Sequence, residues 1–189
     1  MRRAYRPYRF RLLPNKEQAS FIDRTIGCSR LIYNLLLRDY KEQLDNKEKP
    51  KLKEVTFFKN QEDYSFLKEV DSLALANAKQ NLRSAFTNFY ESRKGSRKGK
   101  KMGFPKFHSK HKNKWRYTTN NQRNTIRIVE NRIKLPKIGY IKLIQHRELP
   151  SGKIISCTLE KTRDNNYYIS ILLEILDNFK KKKASLRNL

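Results

Sequence analysis

One strand-like segment, isolated near the start of the chain, limits the fold more than any other feature. Residues Tyr8–Leu12 alternate apolar and basic side chains with a period of two, which is typical of a strand with one dry face and one cationic face. Pro14 ends the pattern, and the next comparable segment begins only at Trp115. Because an isolated strand is not stable, this first strand must pair with the later ones. The chain between them is then an insertion.

The insertion has the apolar spacing of helices. Asn15 and Gln18 stand at the spacing of a capping box, which predicts a helix from there through Ile26. Gly27 is expected to end that helix, and a second, mostly buried helix is expected to start at about Ser29. Residues 45–63 are polar and lysine-rich, which favours a mobile connection.

A third helix is predicted from Ser72, the expected cap, because its apolar residues recur at three- and four-residue spacing. Its other face carries Asn77, Lys79 and Arg83. Lys79 and Arg83 are candidates for phosphate contact, and an ordinary solvated face is the alternative interpretation.

From Trp115 onward the pattern is that of short strands separated by turns. The predicted strands are Trp115–Thr119, Thr125–Val129, Arg132–Leu135, Tyr140–Ile144, Lys153–Lys161 and Tyr167–Glu174. The predicted fold is therefore α+β, a small OB-like barrel of antiparallel strands with a helical insertion after the first strand. The predicted divisions are 1–14 (first strand), 15–92 (insertion), 93–114 (basic flexible loop), 115–175 (remaining barrel) and 176–189 (basic tail).

The charge of the chain is the first sign of function. The 189 residues carry 44 Lys and Arg against 18 Asp and Glu, a formal net charge of +26. Such a surplus repels itself unless a polyanion neutralises it, which favours nucleic acid as the partner. An anionic membrane surface or the ribosome is the alternative. With no apolar run long enough to span a membrane and no signal-peptide pattern, we expect a cytoplasmic protein without a membrane partner.

No sequence pattern predicts a catalytic residue, a metal site or a cofactor. His108 and His111 have H-x-x-H spacing, but the lysines around them would oppose a cation, so a solvated loop is the better interpretation. Cys28 and Cys157 are too few for a four-cysteine zinc site. The chain lacks a phosphate-binding glycine loop, and the acids after Arg116 do not form a carboxylate cluster in the sequence.

Aromatic rings alternate with cations in the basic segment. Lys106 precedes Phe107, and Trp115 precedes Arg116. This pairing suits stacking on bases together with contact to phosphates. For Trp115, a place in the core is an equally good interpretation.

Six segments, in order, resemble the TnpB proteins, also called OrfB, of IS605/IS200-type insertion sequences. These segments are Tyr8–Gln18, Gly27–Asn34, Ala85–Tyr90, Gly103–Phe107, Leu135–Gly139 and Tyr167–Ser170. TnpB-like proteins are RNA-guided DNA nucleases related to the Cas12 effectors. The family fold is a wedge β-barrel split by a helical recognition insertion that contains a helix-turn-helix, followed by a RuvC nuclease domain with a zinc ribbon.

The resemblance covers only the wedge and recognition parts, and the nuclease carboxylates and zinc cysteines are not found in the sequence. It implies a chain truncated before the nuclease domain, with the label of an OrfB-type transposase, that holds guide RNA and a short duplex DNA motif without cleaving. A decayed fragment, a split nuclease with a separate RuvC-bearing chain, and a general RNA-binding or ribosome-associated protein stay open. By resemblance, Tyr33, Asn34 and Asn77 are candidates for reading the motif. The resemblance also implies contact with the RNA or DNA backbone for Lys106, Lys110, Lys112 and Arg116.

Overall fold

The computed structural model describes residues 2–111 and 114–177, and it has the α+β order of elements that the sequence predicts. A first strand, β1 (Arg2–Leu13), precedes the helices α1 (Lys16–Asp45), α2 (Val55–Lys59) and α3 (Ser72–Arg93). Six strands follow α3: β2 (Trp115–Asn120), β3 (Arg127–Val129), β4 (Arg132–Leu135), β5 (Gly139–Ile144), β6 (Lys153–Lys161) and β7 (Tyr167–Asp177).

All seven strands form one antiparallel sheet, curled into a half-barrel, in the order β2-β6-β7-β1-β5-β4-β3. The expectation that the first strand pairs with late strands is confirmed, because β1 lies between β7 and β5. Phe10 is opposite Ile169, and Leu12 is opposite both Tyr167 and Leu143. Phe10 and Leu12 are each 1% exposed, so the dry face of β1 lies at the centre of the core.

The prediction of two helices separated at Gly27 is wrong, because α1 runs unbroken through that residue for 30 residues. The capping box at its start is confirmed. The backbone N–H of Gln18 donates to Asn15 Oδ1 at 2.8 Å, and that of Asn15 donates to Gln18 Oε1 at 3.1 Å. A glycine costs a helix only about 1 kcal/mol. Burial of Ile22 and Ile32 on the two sides of Gly27 outweighs that cost.

The segment predicted as a mobile connection contains ordered structure, which corrects that expectation. It includes α2, and a kinked 3-10 helix follows at Glu62–Lys68. Phe58 and Leu67 are buried and fix both short elements to the helical core. Asp71, not Ser72, caps α3, since its carboxylate accepts the backbone N–H of Leu73 at 2.9 Å.

Two adjoining apolar cores hold the molecule together. One fills the concave side of the sheet, and the other lies among the helices. Ile22, Ile26 and Ala74 belong to the sheet's core, so α1 and α3 both pack against the sheet near β2. Within the described residues, no helix is long and apolar enough to cross a membrane. This packing leaves an open junction between α1, α3 and β2.

Candidate nucleic-acid interface

A cavity of about 570 Å³ opens at the junction of α1, α3 and β2, and we call it the junction cavity. Three cationic side chains line it: Arg30 from α1, Lys114 from the preceding loop and Arg116 from β2. None of the described residues that line it is acidic. The cavity therefore carries a positive potential that an anion would relieve.

A stacked aromatic pair forms part of the wall of the junction cavity. The rings of Tyr33 and His108 lie 3.8 Å apart, centroid to centroid, with 8° between their planes. Burial lowers the pKa of His108 below its ordinary value, and the positive charge of Arg30 adds to that effect. The imidazole is therefore neutral at neutral pH and offers a flat, uncharged surface.

Asn34, a predicted motif-reading residue, holds the loop that carries His108. Its side-chain amide donates to the carbonyl of His108 at 2.9 Å and accepts the backbone N–H of His108 at 2.8 Å. Both ends of the amide are thus engaged inside the protein. This two-point contact fixes residues near His108 against α1 and so positions the stacked pair.

Asn77 lines the junction cavity, yet its amide is also engaged within the protein. Its Nδ2 donates to the carbonyls of Leu73 and Thr118, each at 2.9 Å. The second bond ties α3 to β2. The sequence makes Asn77 a candidate for reading the motif, whereas the structure leaves only its amide oxygen available to a ligand.

Asn81 and Ser29 are polar residues of the junction cavity that sequence reasoning missed. Asn81 lies one helical turn beyond Asn77, and its side chain makes no hydrogen bond to any described residue. The hydroxyl of Ser29 is buried and has no hydrogen-bond partner among the described residues. Buried polar groups are nearly always satisfied, so this hydroxyl is an exception, as is the hydroxyl of Thr119 outside the cavity.

Arg30 and Lys114 were also missed as candidates. Arg30 stands one helical turn before Tyr33 and Asn34, so the helical period could have found it. Lys114 lies in a run of basic residues whose members cannot be ranked from sequence alone.

A smaller cavity of about 350 Å³ shares Arg30 and Ile26 with the first, and Lys110 and Trp115 line it. The indole N–H of Trp115 donates to the carbonyl of Lys110 at 2.6 Å, and its ring packs against the core of the sheet. Trp115 therefore has a core role and also lines a cavity beside Arg30.

The remaining candidate residues lie away from both cavities. Lys79 forms an ion pair with Glu54 at 2.5 Å, and the side chain of Arg83 is exposed. Lys106 is exposed, and Phe107 is 49% exposed beneath the ammonium of Lys41 at 4.9 Å. Lys112 lies outside the described residues.

A second basic surface lies on the outward face of β3–β5, which we call the outer basic face. Arg127 is directly opposite Lys134, and Arg132 is directly opposite Lys142. Like charges opposite each other destabilise a sheet, and none of these four forms an ion pair with another described residue. Tyr140 lies among them, accepting a hydrogen bond from Arg127 Nε at 3.3 Å with the Lys134 ammonium 5.9 Å from its ring.

The carboxylates after Arg116 that make contacts with other described residues form ion pairs with cations of the sheet. Glu174 pairs with Arg3 and accepts from the Tyr5 hydroxyl, each at 3.2 Å, and Glu160 pairs with Arg9 at 3.5 Å. Within residues 2–111 and 114–177, no group of three or more His, Cys, Asp or Glu side chains could hold a metal ion.

Comparison with known proteins gives two matches. Residues 1–49, which contain β1 and α1, match a family described as "Helix-turn-helix domain", of the OrfB IS605 type. A protein of Streptomyces pristinaespiralis named "Putative RNA-guided DNA endonuclease" is 28% identical over 181 residues, which covers 92% of this chain. The chain spans 42% of the length of that relative. The predicted resemblance to TnpB/OrfB proteins is confirmed.

Proposed function

We propose that this chain is the nucleic-acid-binding part of a TnpB-like, RNA-guided DNA-binding protein, and that it acts in the cytoplasm. The observation that carries the proposal is the junction cavity, where three cations, a stacked aromatic pair and side-chain amides converge without a carboxylate. Cations supply phosphate contact, whereas rings and amides recognise bases. The two matches and the excess of positive charge support the same partner class.

In this proposal the seven-stranded sheet is the wedge domain, an OB-like barrel, and the helices between β1 and β2 are the recognition insertion. The junction cavity lies where the insertion meets the sheet, so both parts contribute residues to it. We assign the short duplex DNA motif to this junction. Tyr33, Asn77 and Arg116 line it, and Asn34 positions it.

We assign the guide RNA to the outer basic face. Its four cations are Arg and Lys, which contact backbone phosphates, and the face offers no Asn or Gln to read a base. RNA stems are recognised mostly by shape and backbone. An anion between the opposed cations would also remove their mutual repulsion, which supports a phosphate backbone as the occupant.

We also propose that this chain binds without cutting. Among the described carboxylates of the sheet, Glu160 and Glu174 each form an ion pair with an arginine. They do not form the carboxylate cluster that would bind a metal ion. The purified chain, incubated with supercoiled plasmid and Mg²⁺ or Mn²⁺, should leave the plasmid intact. Nicking that persists through purification and disappears with chelator would contradict this.

Sequencing the nucleic acid that co-purifies with the full chain tests the proposed function. Enrichment of one structured RNA encoded beside the chain's own reading frame supports it. Bulk ribosomal RNA would instead identify a general RNA-binding or ribosome-associated protein. Co-purification of a separate RuvC-bearing chain would indicate one half of a split nuclease.

A further inference from the structure

Three features of the junction cavity suit a single nucleotide of the DNA that we assign to this junction. It is a partly open cavity of about 570 Å³, within the roughly 300–1,000 Å³ of pockets that hold small ligands. One part of its wall is the flat Tyr33–His108 pair. Another part holds Asn81, an exposed residue whose side-chain amide has no hydrogen-bond partner among the described residues.

We propose that the junction cavity holds one unstacked nucleotide of the bound nucleic acid, with the base against the Tyr33–His108 pair. This inference rests on the proposed function and names the ligand of the same site. A base removed from a helical stack loses its neighbours, and an aromatic surface replaces them.

The polar groups of the cavity fit the hydrogen-bonding edge of the base and the phosphate. Asn81 offers an unengaged side-chain amide, which suits the hydrogen-bonding edge of a base. Arg30, Lys114 and Arg116 offer positive charge for its phosphates. The base and the phosphate of a nucleotide therefore each meet a matching group within one cavity.

The stacked pair is held in place before any ligand arrives. Asn34 clamps the backbone of His108 at two points, and Tyr33 is 6% exposed and fixed in α1. A preformed surface loses little entropy on binding, so more of the stacking energy appears as affinity.

The test compares three short hairpins that differ at one position of an otherwise identical stem. One stem is fully paired, one carries a single bulged nucleotide, and one carries a bulged abasic site with the same backbone charge. The full chain should bind the bulged nucleotide at least about fivefold more tightly than the abasic bulge. The comparison is run with DNA and with RNA hairpins, and a preference in either series supports the proposal and identifies the source of the nucleotide.

Variants show whether the preference arises in the junction cavity. His108→Ala should abolish it, while His108→Phe should retain it because the flat ring remains. Asn81→Ala should reduce it, and Gln80→Ala, an exposed neighbour outside the cavity, should not. An unfolded chain of this charge would also bind both bulges equally, so the result counts only where circular dichroism shows that His108→Ala keeps the wild-type fold.

Equal affinity for the bulged nucleotide and the abasic bulge in both series would overturn the proposal, as would a preference that His108→Ala leaves intact. If the chain binds every hairpin equally with strong salt dependence, this inference fails while the proposed function stands. If it binds none of them, the proposed function itself fails.

Discussion

Asn77 shows how a residue chosen for its chemistry can prove to be structural as well. Its amide joins α3 to the backbone of Thr118 in β2, so Asn77→Ala removes a bond between the insertion and the sheet. We expect a loss of about 1–2 kcal/mol in the free energy of unfolding, measured by urea denaturation. Binding to all DNA sequences should weaken equally. Loss of discrimination at one base pair with unchanged stability would show instead that Asn77 reads the base.

Asn34 is expected to hold the loop that carries His108. Asn34→Ala removes both hydrogen bonds to the His108 backbone and should free the chain around Lys106 and Lys110. Trypsin should then cleave after these lysines faster than in the wild type under native conditions. Gln80→Ala serves as the matched control, with wild-type cleavage. An unchanged cleavage rate in Asn34→Ala would mean that other contacts hold the loop.

His108 links the stability of the loop to pH. Its pKa in the folded protein lies below the unfolded value of about 6.5, so the unfolded state binds more protons in the interval between the two values. Stability is therefore fully present above the unfolded pKa and is lost as the pH falls below it. The wild type should lose more thermal stability than His108→Phe between mildly alkaline and mildly acidic buffer. If the wild type and His108→Phe lose the same thermal stability between the two buffers, the lowered pKa of His108 is contradicted.

At the scale of residues, the sequence predicted only part of the lining of the junction cavity and not what each residue does. Tyr33, Asn77 and Arg116 were chosen from three separate segments, and all three line the junction cavity. The hydrogen bonds that engage Asn34 and Asn77 join residues far apart in the chain. No local pattern reveals such partners. Ser29 was missed because an unsatisfied hydroxyl is a property of packing alone.

At the scale of elements, β1 determines whether the sheet forms. It is the central strand, so Phe10→Ala opens a cavity in the middle of the core and should cost about 3–5 kcal/mol. Arg11→Ala, an exposed neighbour on the same strand, should cost much less. Urea denaturation followed by circular dichroism measures both. A mild effect of Phe10→Ala would mean that the sheet does not depend on β1.

The period of the apolar residues and the helix-capping residues predicted most of the helices and strands. These local signals failed where tertiary packing opposes them. The alternation in β1 and the capping box of α1 are local features, and the structure has both. Gly27 is also a local feature, yet apolar contacts on either side of it keep α1 continuous. Asp71 replaces Ser72 as the cap of α3 for a different reason: Asp and Ser are equally good caps, so the local signal does not distinguish two neighbours.

At the scale of the whole molecule, the fold separates two basic surfaces. The junction cavity lies by β2, at one edge of the sheet, and the outer basic face lies on β3–β5, toward the other edge. Five strand spacings of about 4.8 Å separate β2 from β4, roughly 24 Å. This separation is what the proposed binding of RNA and DNA at two different surfaces requires.

The salt dependence of DNA binding tests the central claim, that the junction cavity is the place where this chain meets DNA. The measurement is the slope of log Kobs against log[salt] for the wild type and for the triple variant Arg30→Gln, Lys114→Gln, Arg116→Gln. If all three contact phosphates, the slope should become shallower by about 2–3. A control variant, Lys47→Gln, Lys49→Gln, Lys51→Gln, makes the same change of charge outside the cavity and should keep the wild-type slope. An unchanged slope in the cavity variant, or an equal change in both variants, would contradict the account.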